Sequence, residues 1–155
     1  MSVRRTSVFP NVFGRLIAGN DLKATSLSMK NYRSEVLRDL GWLLNTSCHP
    51  RSSSVHHYPE VASSTLNFGM LDFVGVDLAS IDPDAVADAI RESIIRFEPR
   101  ISKETLRVEV AGDAWSGDSD RITIEITGDL WALPASEPLA LLASWNAVAG
   151  SWTFE

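Results

Sequence analysis

The residues with the strongest chemical claim in this 155-residue chain are Glu98 and Arg100, separated by a proline at the exit of an apolar helical stretch. A carboxyl beside apolar side chains is the type of group that serves as a general acid, and a second carboxylate would complete a glycoside-hydrolysing pair. With twenty acidic residues in the chain, however, a pair is always at hand, so only geometry gives one meaning. Arg100 points the other way. In an extended segment, residues two apart share a side, so Glu98 and Arg100 point together while Phe97 and Ile101 face the core. A guanidinium that close keeps the carboxylate ionised and acceptor-only, which suits binding better than acid catalysis. On the residues alone the pair reads as a local ion pair at a helix exit. Pro99 makes the corner stiff.

Other groupings are weaker. Cys48, His49, His56 and His57 are near neighbours, but there is no second cysteine and no paired ligand spacing, so no metal is expected. Asp113, Asp118 and Asp120 lack the ordered spacing and terminal glutamate of a calcium loop. Neither a glycine-rich phosphate loop nor a nucleophile elbow occurs; Trp115-Ser116-Gly117 resembles one only superficially. No cofactor is implied.

Charge is unevenly spread. Residues 1–58 hold eight basic and three acidic residues, and residues 59–155 hold six basic and seventeen acidic ones. The basic residues are dispersed, with no continuous footprint for a polyanion, so nucleic acid is not an expected partner. The pattern reads first as a solvated surface; the sharper alternative is two electrically distinct faces, each turned to a different neighbour. No apolar run approaches a membrane span, no signal peptide is read, and a lone cysteine fits a reducing compartment.

The elements that must position the corner follow from periodicity. One domain is expected over 1–155, of α+β class, with N-terminal helices packed on a small, mostly antiparallel C-terminal sheet. Residues 1–30 read as an arm with a short helix through Val12, Phe13, Leu16 and Ile17. A firm helix runs from Asn31 to about Leu44, its apolar stripe being Tyr32, Val36, Leu37, Leu40, Leu43 and Leu44. Residues 45–64 form a long polar connector, and the glycine-broken stretch from Leu66 to Gly75 suits irregular backbone against the core. A second helix starts at Asp82 as N-cap with Pro83 at its first position, carries Val86, Ile90, Ile94 and Phe97 on one face, and stops before Pro99.

The period then changes to two. Leu106, Val108 and Val110 pair with Ile122, Ile124 and Ile126 in an antiparallel hairpin with an acidic tip. Leu139 to Trp145 and Ser151 to Phe154 read as two more strands. The first could equally start a helix, but Trp145 and Trp152 favour a pleated surface. The last strand lacks lysine, arginine and proline, so an accessible edge for strand addition is expected at Trp152 and Phe154.

Three pieces in order carry a resemblance: Ser34-Glu35-Val36-Leu37-Arg38-Asp39-Leu40-Gly41-Trp42-Leu43-Leu44-Asn45-Thr46, then Thr65-Leu66-Asn67-Phe68-Gly69-Met70-Leu71-Asp72, then Phe97-Glu98-Pro99-Arg100-Ile101. Together with Phe13-Gly14-Arg15-Leu16, they resemble the type VI secretion baseplate wedge subunits called TssE. These are similar to the contractile-phage wedge proteins once labelled tail lysozymes. The family's Tyr-Gly-Leu-Pro-Asp reads Phe68-Gly69-Met70-Leu71-Asp72 here, without the proline or the tyrosine hydroxyl. The resemblance implies a structural, non-enzymatic wedge component at the cytoplasmic face of the inner membrane, not inserted into it. Its partners would be other wedge subunits and the contractile sheath, its binding residues Glu98, Pro99, Arg100, Trp152 and Phe154. The alternative, from the old label, is a peptidoglycan hydrolase using Glu98.

Overall fold

The computed structural model describes residues 29–50, 52–73, 82–111, 121–131 and 136–155. The expected arm helix at Val12 to Ile17 and the acidic hairpin tip lie outside these residues.

Helix α1, Met29–Leu44, buries Tyr32, Val36, Leu40, Leu43 and Leu44 at helical spacing, two residues earlier in start than the sequence pattern implies. After it come a 3-10 turn, Ser54–His57, the single-turn helix α2, Pro59–Ala62, and another 3-10 turn, Thr65–Asn67. The connector's serines are the reason for this order. The Ser53 hydroxyl accepts the Val55 N–H and the Ser64 hydroxyl accepts the Leu66 N–H, each capping a short turn. The loop is closed by a parallel bridge in which Met70 N donates to Thr46 O and Cys48 N to Met70 O, both at 2.8 Å. Its inside is filled by Asn67, buried, which accepts from His49 N and donates to Ala62 O, both at 3.0 Å. Gly69 has φ +122°, and a Cβ there would lie 2.1 Å from the Thr46 carbonyl oxygen, so only glycine fits.

Helix α3, Pro83–Phe97, begins as its local chemistry requires, with the Asp82 carboxylate accepting the Asp84 N–H and Pro83 in the first turn. Glu98 follows it outside the helical region, at φ −123° and ψ 75°, as a residue before proline must.

Strands β1, Arg107–Val110, β2, Arg121–Leu130, β3, Glu137–Asn146, and β4, Ser151–Phe154, form one antiparallel sheet in the order β1-β2-β3-β4. The register pairs Val108 with Ile126, Ile124 with Ala143 and Trp145 with Trp152. One face is therefore a continuous apolar layer of Ile122, Ile124, Ile126, Leu130, Leu139, Leu141, Ala143, Trp145 and Trp152. Onto it pack α1 and α3, whose Val36, Leu40, Val86, Ile90 and Ile94 complete the core. Leu37, from the expected apolar stripe, and Val108, from the expected hairpin, lie at the margin of this core, partly buried. The segment from Leu139 to Trp145 is strand, because its alternate residues meet this layer.

Leu40 and Ile90 are fully enclosed. Replacing either by alanine should cost about 2–5 kcal/mol in chemical denaturation. A loss below about 0.5 kcal/mol, the range of an ordinary surface substitution, would mean that the faces are assigned wrongly. Gly69→Ala should also destabilise, by roughly 1–3 kcal/mol, through strain at the loop closure.

Candidate functional site: a charged corner between α3 and the sheet

Phe97-Glu98-Pro99-Arg100-Ile101 turns the chain from α3 towards the sheet. Its backbone is fastened at both ends. Glu98 N donates to Ile94 O at 2.8 Å, Trp131 N donates to Arg100 O at 2.7 Å, and Ser102 N donates to Asp129 O at 2.9 Å. Ile101 forms an antiparallel bridge with Leu130, the last residue of β2.

The side chains form one ion network. Arg100 closes its fork on Glu98, with Nε 2.6 Å from Oε1 and Nη2 2.5 Å from Oε2. The same Nη2 donates to Asp39 Oδ2 at 2.6 Å, across 61 residues of sequence, and so ties the corner to α1. Asp39 in turn accepts from Arg38 Nε and Nη2, both at 3.0 Å. Side-chain exposure falls along the series: 47% for Arg38, 24% for Asp39, 19% for Arg100 and 4% for Glu98. Burial opposes the Arg100 charge, but the bonds and charges of Glu98 and then Asp39 outweigh it and hold its pKa above the ordinary arginine value. Nη1 of Arg100 is buried and has no acceptor among the described residues.

Tyr32 of α1 completes the junction by donating its hydroxyl to Trp131 O at 2.8 Å. Its phenol is pushed above the ordinary value first by burial, against the Arg100 charge, with Glu98 and Glu35 adding to the rise. Sequence reasoning brought Glu98 and Arg100 together, but in an extended segment. The structure instead makes a turn, with Ile101 N donating to Glu98 O at 3.2 Å, and buries Glu98. Sequence reasoning also missed Asp39 and Tyr32. Asp39 carried one usable signal, being an acid on the polar side of α1 within the first resembling stretch.

Chemically this arrangement binds and braces. Glu98 accepts a bidentate guanidinium and a backbone N–H and is almost wholly enclosed, so it is poorly placed to hand a proton to a substrate. Among the described residues no group of three or more His, Cys, Asp or Glu side chains is placed to hold a metal ion. Pro99 is the exposed member of the corner. Beside it lies an open groove of about 450 Å³ lined by Trp42, Phe68, Phe97, Pro99 and the ion network.

Trp152 and Phe154 lie on β4, at the far edge of the sheet from β1. The expected open edge is corrected here. Trp152 N donates to Asn45 Oδ1 at 2.8 Å, and Asn45 Nδ2 donates to Trp152 O at 3.1 Å. The amide at the end of α1 thus supplies the donor and acceptor that an added strand would supply, and it closes the edge at that residue. Arg33 similarly donates to Pro138 O and Ala140 O, both at 3.3 Å, on the part of β3 beyond β4. The Trp152 ring is buried and Phe154 is half-buried.

Two helices laid over one face of an antiparallel sheet, with a charged corner braced between them, define an α+β domain. A family model described as baseplate wedge protein gp25 matches residues 30–135, which covers more than half of the chain and includes α1, the corner and β2. The chain belongs to this baseplate wedge family, and its role is structural, within a phage-tail-like baseplate. No curated protein and no solved structure matches it. No helix of the described residues is long and apolar enough to cross a membrane.

Removing one member of the buried pair leaves the other unpaired. Arg100→Ala should therefore lose about 3–5 kcal/mol of stability in urea melts. The Tyr32 effect has a definite sign. A folded pKa above the unfolded value near 10 means that the neutral phenol is favoured in the fold. That contribution is full below about pH 10 and is lost as pH rises through the folded value. Tyr32→Phe should flatten the alkaline fall in melting temperature; an unchanged slope would remove Tyr32 as its source.

Proposed function

We propose that the chain is the TssE wedge subunit of a type VI secretion baseplate, acting without catalysis at the cytoplasmic face of the inner membrane. The observation that carries this reading is the family match across residues 30–135, which includes the Glu98-Pro99-Arg100 corner. Other wedge subunits dock at that corner. Pro99 presents an exposed, conformationally fixed surface, and the ion network beneath it keeps the surface in place without the partner's help. Pre-organisation of this kind lowers the entropy cost of association.

The contractile sheath meets the β4 margin of the sheet, at Trp152 and Phe154. Because the Trp152 backbone groups are bonded to Asn45 and its ring is buried, that contact falls to the half-buried Phe154 rather than to strand addition at Trp152. The acidic composition of residues 59–155 and the basic excess of residues 1–58 suit two neighbours of opposite charge. The whole chain, with residues 1–30 as an arm and the capped connector at 45–64, works as one domain.

The test must separate docking from folding, since Arg100 is part of the interior. Arg100→Ala and Leu40→Ala should both be destabilised by several kcal/mol. Each is co-expressed with the other wedge subunits and purified at a temperature where circular dichroism shows it folded. Leu40→Ala should still co-purify with the wedge, while Arg100→Ala should not. Arg100→Lys should restore little, since an ammonium cannot bridge two carboxylates in the planar geometry of a guanidinium. Equal recovery of the wedge by the two alanine variants would return Arg100 to a purely structural role. Cell-wall cleavage by the purified protein, abolished in Glu98→Gln, would overturn the non-enzymatic reading.

A further inference from the structure

Trp42 stands off the apolar stripe of α1, 58% exposed, although tryptophan is among the costliest side chains to leave in water. It forms one wall of the groove beside the corner. The Phe68 and Phe97 rings, edge to face at 5.2 Å, and Pro99 supply the remaining apolar lining. Arg38, one turn before Trp42 on the same helix, lies over the indole with its guanidinium carbon 4.9 Å from the ring centroid.

The charges around this groove are ordered by depth. Glu98 and Asp39 are turned inward and are neutralised by Arg100 and Arg38, while Arg38 is the most exposed member of the network. Its Nε and Nη2 are spent on Asp39, and no bond of Nη1 is seen among the described residues. The lip therefore offers the Nη1 edge of Arg38 as a guanidinium donor to an arriving carboxylate, although its charge is shared with Asp39. Tryptophan and arginine at the edge of a desolvated pocket are the residue types that dominate binding energy at protein interfaces.

We propose that this groove receives a segment of a partner protein that carries an apolar anchor side chain flanked by a carboxylate. The anchor fills the space between Trp42, Phe68, Phe97 and Pro99, and the carboxylate bonds the outer edge of Arg38. Trp42 and Arg38 set the partner's chemistry, whereas Glu98 and Arg100 hold the floor. This inference rests on the corner being the docking face, and it adds what that face selects.

The test uses the full chain and two short synthetic peptides, one with a leucine pair flanked by glutamates and a twin with lysines in their place. Binding is followed by fluorescence anisotropy of a dye on the peptide. The glutamate peptide should bind, and its lysine twin should bind at least about tenfold more weakly. Trp42→Ala and Arg38→Glu should each weaken the glutamate peptide by about tenfold or more, with Arg38→Gln between Arg38→Glu and the parent. All three side-chain changes are at exposed positions, and thermal melts should confirm that each variant is folded. Equal binding of the two peptides, binding of neither, or binding unaffected by Trp42→Ala and Arg38→Glu would overturn the proposal. Those results come from the isolated chain, so they are distinguishable from failure of the corner itself, which is read from Arg100→Ala in wedge co-purification.

Discussion

The guanidinium of Arg100 is the constraint on which the arrangement of the molecule depends. With Nε and Nη2 it holds Glu98 at the end of α3, and with Nη2 it also holds Asp39 on α1. Its own carbonyl accepts Trp131 N beyond β2, and Trp131 O accepts the Tyr32 hydroxyl from α1. Three elements that pack mainly through non-directional apolar contacts thus meet at one directional junction. Apolar burial stabilises the layers against one another, but it tolerates sliding and rotation. A planar fork gripping two carboxylates does not, because a small rotation breaks short, charge-assisted bonds.

Such a junction is expensive in desolvation, and a well-packed apolar substitute often does as well or better for stability alone. Its value here is geometric. The protein assembles with other baseplate subunits, so the angle at which it presents its surface matters as much as how firmly it folds. The same economy appears at the other side of α1. There Asn45 binds both backbone groups of Trp152, and Arg33 covers two carbonyls of β3, so one helix locks the corner and blunts the sheet edge together.

The connector illustrates how a polar, loop-like composition still produces a fixed shape. Its serines cap short turns, Asn67 bridges its two limbs from the inside, and Ser93 of α3 donates to Gly69 O at 2.9 Å. The loop is therefore built from side chain to backbone hydrogen bonds in place of an apolar core of its own, and it places Phe68 against Phe97 beside the corner.

Local interactions made much of this legible in the sequence. The start of α3 rests on Asp82, Pro83 and Asp84, the end on Pro99, and the strand faces on a period of two, all features decided within a few residues. The closeness of Glu98 to Arg100, two residues apart, was legible as a local fact, but its geometry was not: the segment is a turn, with Ile101 N donating to Glu98 O, and not an extended run. Asp39, 61 residues from Arg100, and Asn45, 107 residues from Trp152, were not. An acid on a helix's polar side and an asparagine after its last turn read as ordinary solvent-facing and helix-ending residues until packing decides what stands opposite them. For the same reason an uncharged last strand read as an open edge. Whether an edge is open depends on which helix lies beside it, and only the tertiary structure, by laying α1 across the end of the sheet, decided that this one is closed at Trp152.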